Sequence, residues 1–598
     1  MRSRDKITLF LSIALAVVLL AAAGMQLDYI NAKRRDMKLI INEAPENAPP
    51  SLAFATVAMG AFRGLVVDIL WMRADRLKEE GQYFDARQLA EWITTLQPRF
   101  AAVWEFHAWN MAYNISVAIP ATEPDQRWRW VRNGYELLRD KGIPLNPKSI
   151  QLYRELARIF QHKLGAVSDD AHKYYKLQLA MAMEPLLGPA DNDYFDALAK
   201  TPSDLYEIQK DPNVAALLAD LKAAGEPFDD DRTFISSYLA LRQNASTFDQ
   251  AAADAIDKYR GTETLKKFDT FARAHELRNS WKLDPVLMRD LNKNHGPVDW
   301  GDPNNRFPLD WRHPDCHAIY WAVKGLRMLA QEESREVDAD EINADRIVAH
   351  SLQDLFRNGK MFIYDIPVQV PQDDPTKPPL TRMAKEVFLR PDFRMFHAYN
   401  RSFMTILEKY ENDEKASRAE SLKNGHRNML KDALFAFYQA GHKRQAQEIL
   451  DLLRKLYPLP EFDVSLDTFA FRRFADELGT IEINAAKGQI TSLLRETFFL
   501  YAMHQDEQVV AREKVAQDIY DYYIAEFPDE FRVNLPEMSV LRYLALVDFL
   551  RDGQFPPNLK DSLLNRIQIE RPDVYKQIEE QFEKQAEARK EATADRSP

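Results

Sequence analysis

The chain has 598 residues, more than one compact core holds, so several domains or an extended repeat array are expected. Lysine and arginine number 79 against 91 aspartates and glutamates, and the formal charge of -12 disfavours a nucleic-acid partner. A single cysteine, Cys316, excludes an internal disulfide framework or a cysteine-based zinc knuckle, and 19 glycines are too few for a turn-rich sheet fold.

Residues 1–24 read as a signal anchor. Arg2, Arg4 and Lys6 precede an uncharged run, residues 7–24 (ITLFLSIALAVVLLAAAG). As a helix it would be about 27 Å long, against about 30 Å of hydrocarbon. Ala21-Ala22-Ala23 would also suit a signal peptidase, but the length of the run favours a retained anchor. Signal-like order puts the bulk of the chain outside the cytoplasmic membrane, although Lys33, Arg34, Arg35 and Lys38 follow the run. Residues 25–50 are a linker, proline-rich at its end. Residues 52–71 are apolar but contain Arg63 and Asp68, which predicts a buried helix in preference to a second span.

Residues 70–110 set the pattern for the rest of the chain. They predict a helix, a turn at Gly81 and Gln82, a second helix closing at Pro98 and a third opening at Ala101. Small residues (Ala74, Ala86, Ala90) fall where antiparallel helices approach, with Leu70, Leu77, Tyr83, Ile93 and Leu96 filling between them. This pattern resembles the tetratricopeptide repeat (TPR) superfamily. The resemblance implies an all-α solenoid of helix hairpins and a protein-binding role, as in bacterial membrane-anchored repeat proteins.

On this reading residues 51–186 are N-terminal repeats, with Trp104, Ala108 and Met111 inward, a paired helix over 127–141, and Tyr153, Leu156, Ala157 and Phe160 on one helical face. The partner of that face is a helix over 169–183, capped near Ser168. Residues 187–284 form an irregular helical insertion. Residues 285–360 hold a loop, 294–316 (NHGPVDWGDPNNRFPLDWRHPDC), in which Pro297-Val298-Asp299-Trp300 is echoed by Pro308-Leu309-Asp310-Trp311, and then a helix pair beginning at Pro314. Residues 361–370 are the best strand candidate, and a proline-rich loop runs to 380. Helices are expected to resume over 381–555 as C-terminal repeats, clearest at 426–458, before a charged tail over 556–598.

No catalytic, cofactor-binding or metal-ligating residue is expected. His313 and His317 are spaced as zinc ligands on a helix would be, but Pro314 puts His313 outside the helix, leaving a capping and a core histidine. Aspartates 229–231 lack the spacing of a calcium loop. Candidate partner-binding residues are Trp104, Trp109 and Tyr113 on the aromatic third helix, and Trp300, Trp311 and His313 on the long loop. The function expected is a membrane-anchored scaffold of the cell envelope that binds a partner peptide or helix and is not an enzyme. The alternatives are a glycan binder using Trp300 and Trp311, or a metal-dependent enzyme at Asp299, Asp310, His313 and His317.

Overall fold

The computed structural model describes residues 26, 29, 33, 63–225, 227–228, 230, 233–302, 304–330, 339–370, 380–410, 416–478, 483–526, 535–553, 555–581 and 583. The expected anchor (7–24), most of the linker and the end of the tail lie outside them. Among the described residues no helix is long and apolar enough to cross a membrane. The chain divides into two compact units, Met1–Val103 and Trp104–Pro598.

In the first unit, helices Arg63–Glu79 and Tyr83–Leu96 form a hairpin. The turn follows from Gly81, whose φ of +76° is costly for any other residue. Gln82 N donates to Leu77 O at 2.8 Å and Gly81 N to Lys78 O at 3.1 Å, a Schellman cap. Ala74, Ala86, Ala90 and Ile93 are buried, as their spacing predicts. The buried helix expected over 52–71 is, in its described part, buried on one side only. Leu65, Ile69 and Met72, three and four residues apart, are 58%, 53% and 63% exposed on one face, while Val67 is buried.

The second unit is predominantly helical. Its centre is helix Pro314–Leu329, which begins with proline where no backbone donor is needed and is buried from Pro314 through Ala322. It packs against Ala339–Asn358 and against Ile150–Arg158, where a Cβ on Gly325 would come within 2.7 Å of the Tyr153 Cβ. Trp104, Ala108 and Met111 are buried, as are Tyr153, Leu156, Ala157 and Phe160. Three wide π-helical turns interrupt this region: Asn110–Ile115, Leu138–Gly142 and Ile159–Gly165. Ser168 does not cap the next helix, His172–Leu187. Its hydroxyl turns back to His162 O, and Asp169 accepts from Ala171 N at 2.8 Å instead. The insertion is made of helices of 4 to 17 residues and a 3-10 turn, several opened by side-chain caps at Asp191, Asp204, Asp211 and Thr262.

The largest departure from expectation comes after the proline-rich loop. Strand β1, Lys360–Val370, pairs antiparallel with β2, Leu380–Arg390, so β2 stands where helix was expected. Met361, Ile363, Val387 and Leu389 pack on Ala180 and Leu177 of the helix His172–Leu187. The alternate residues meet the C-terminal part of the chain: Phe388 stacks on Phe555, in the turn before helix Pro557–Glu570, and the Arg390 guanidinium lies 3.9 Å from the Phe499 ring centroid. Side chains on both faces thus override the weak strand preference of Ala, Lys and Glu in β2.

Helices then resume. Ala416–Gln439 and Lys443–Leu456 form a hairpin whose cap repeats that of the first unit. Gly441 has φ +80°, His442 N donates to Phe437 O at 2.9 Å, and Gly441 N donates to Tyr438 O at 2.9 Å. In both hairpins the second helix has 14 residues and ends just before a proline, Pro98 or Pro458. A third cap of this type, with His504 at φ +56°, joins Ile483–Ala502 to Asp506–Glu526.

Candidate functional site

The long loop 296–313 is bound into the fold. Val298 N donates to Arg394 O at 3.0 Å, Phe307 N to Pro297 O at 2.8 Å, and Val298 forms an isolated bridge with Arg306. The buried Asn292 carboxamide closes its far end, accepting from Leu309 N at 3.1 Å and from Trp311 Nε1 at 3.0 Å. The two echoed motifs therefore have different fates. Trp311 is wholly buried, whereas Trp300 is half-buried, packs on His397 and Phe437 at 4.6 and 4.9 Å between centroids, and donates from Nε1 to Glu448 at 2.9 Å.

Trp300 stands beside a cavity of about 270 Å³. A second, of about 350 Å³, lies beneath the loop prolines and shares Lys360, Phe362, Asp392 and Arg394 with the first. Together they make a cleft between the loop and the root of the hairpin. Its walls are aromatic (Trp300, Phe362, Phe393, Phe437), and its floor is charged. Arg390 donates to Glu496 at 3.0 Å, and Arg512 pairs with the other oxygen of the same carboxylate. Burial pulls both guanidinium groups below their ordinary pKa against the pull of Glu496, and holds His442 down with help from Arg512 and Lys360. Flat rings beside fixed cations are the chemistry that suits an acidic or aromatic group.

The other candidates lie elsewhere. Trp104 and His313 are buried, so with Trp311 they present no surface to a partner in this conformation. Trp109 and Tyr113 are half-buried and stack at 6.0 Å, with Arg158 over the tyrosine ring, and neither lines the cleft. His313 caps the central helix, its Nδ1 accepting from Asp315 N at 3.2 Å. His317 donates from Nε2 to Trp311 O at 3.0 Å and stacks on Phe160. Burial pushes their pKa values down to about 3 and about 4, while burial and nearby Asp354 raise that of Asp315. Asp310 is paired with Arg312, and Asp299 sits on an exposed turn. Among the described residues no three His, Cys, Asp or Glu side chains are grouped to hold a metal ion.

Sequence reasoning singled out Trp300 but missed Arg390, Arg512, Glu496 and Lys360. No local signal marked them: residues 385–390 (KEVFLR) do not alternate between polar and apolar, so nothing in the sequence put Arg390 on the face of Phe388. No protein-family model and no curated protein matches the chain. The class defined by fold and site is thus a predominantly helical protein with one long β-hairpin and a cationic, aromatic cleft at its root.

Proposed function

We propose that the protein is a membrane-tethered scaffold of the cell envelope, built from TPR-like helix hairpins, which binds a short segment of a partner protein in the cleft beside Trp300. Residues 7–24 provide the tether. The cleft carries this reading: an aromatic residue on a pinned loop lines the same cavity as the fixed charges of Arg390, Arg512 and Glu496. The repeat reading is supported by the matching caps at Gly81 and Gly441 and the matching second helices ending before Pro98 and Pro458. Burial of Trp311 separates it from Trp300 and leaves the glycan alternative without a paired platform.

The test is site-specific photocrosslinking in native membranes. A crosslinking residue at the exposed position Asp299 is expected to capture one partner chain, and Trp300→Ala to abolish that adduct without lowering the melting temperature by more than a few degrees. The same adduct from a crosslinker at Tyr206, 73% exposed and remote from the cleft linings, would refute the assignment.

A further inference from the structure

The cleft floor holds more positive charge than its own carboxylates balance. Two guanidinium groups, Arg390 and Arg512, share the single carboxylate of Glu496. Lys360 lines the same cavity and has no carboxylate partner among the described residues. In the hairpin register it stands directly opposite Arg390, an arrangement of like charges that costs stability. The remaining carboxylates are engaged. Asp392 accepts two bonds from Arg394 at 2.9 and 2.7 Å, and Asp299 accepts from Gly301 N at 3.0 Å on the exposed rim. The Arg512 side chain is 8% exposed, and its Nε is buried without a hydrogen-bond partner among the described residues. A buried guanidinium left with an unused donor is costly, and an incoming oxygen anion would relieve that cost.

Resting on the peptide-binding reading above, we propose that this floor is an anion subsite for a peptide carboxylate, either a C-terminus or an acidic side chain, carried next to an aromatic residue. Arg512 and Arg390 hold the carboxylate in place of Glu496, or share it with Glu496 and Lys360. The neighbouring rings, with Phe499 under Arg390 and Phe393 and Phe437 at the wall, take the apolar body. A cavity of about 270 Å³ is at the small end of ligand sites, so one or two residues enter it and a helix does not.

Calorimetric titration of the full chain tests this with three probes: N-acetylphenylalanine, N-acetylaspartylphenylalaninamide and the neutral N-acetylphenylalaninamide. At least one acidic probe is expected to bind about tenfold or more tightly than the neutral one. Binding of the first alone identifies a C-terminal carboxylate, binding of the second alone a side chain, and binding of both the shared chemistry. Arg512→Gln is expected to lower acidic-probe affinity by about tenfold or more. Glu496→Gln, which removes the internal competitor, is expected to raise it by about tenfold, an increase that a damaged fold does not produce. Equal binding of all three probes, or no binding to either the wild type or Glu496→Gln, overturns the subsite. If photocrosslinking captures a partner but the acidic probes show no preference, the subsite fails and the scaffold stands. If the probes behave as expected and no partner is captured, the cleft serves a free acid and the peptide assignment is lost.

Discussion

His313 and His317 show what single residues contribute to this fold, and the sequence HPDCH already contained it. Proline after His313 breaks any helical pairing with His317, so one ring caps the helix and the other lies in the core. Both are held neutral by burial, with pKa values near 3 and 4 against about 6.5 in the unfolded chain. A folded-state value below the unfolded one means that acid favours unfolding. This stabilisation is complete above about pH 6.5 and is lost as pH falls towards 4, at about 3 kcal/mol per fully buried ring. Asp315, raised by burial, works in the opposite sense and offsets part of the loss. The melting temperature is therefore expected to fall by several degrees between pH 7 and pH 5. His317→Gln, which keeps a donor for Trp311 O but does not titrate, should show a shallower fall, and identical slopes in the two proteins would remove His317 from the account.

Among elements, helix hairpins were legible because their determinants are local: a glycine at the turn, small residues at the crossing, a proline beyond the end. Strand β2 was not, because its residues 381–386 (TRMAKE) suit a helix and only pairing with β1 makes them a strand. The glycines allow the local argument to be checked with opposite signs. Gly441 combines φ +80° with a position where a Cβ would overlap Ala511, so Gly441→Ala should cost about 2–4 kcal/mol from backbone strain and overpacking. Gly488 is exposed within helix Ile483–Ala502, with nothing within 4 Å of an added Cβ. Gly488→Ala should therefore stabilise by about 0.5–1 kcal/mol. Urea unfolding of the two variants measures both, and a loss of stability in Gly488→Ala would contradict the helical geometry there.

For the whole molecule, the cleft was hidden from sequence analysis by its own construction. Lys360 and Arg390 are brought together by hairpin register, and Glu496 and Arg512 arrive from two helices more than a hundred residues later. No short-range pattern links them. The proposed tether is the reverse case: the apolar run at residues 7–24 is plain in the sequence and lies outside the described residues. Its test must separate that segment from the other apolar feature near it, the exposed stripe of Leu65, Ile69 and Met72. A spanning helix resists alkaline carbonate, whereas a stripe of three side chains contributes only a few kcal/mol of burial and washes off. The full chain is therefore expected in the membrane pellet after carbonate extraction, and a chain lacking residues 1–24 in the supernatant. If the shortened chain still pellets, and Leu65→Ser with Ile69→Ser releases it, then the stripe and not the N-terminal run is what holds the molecule to the lipid.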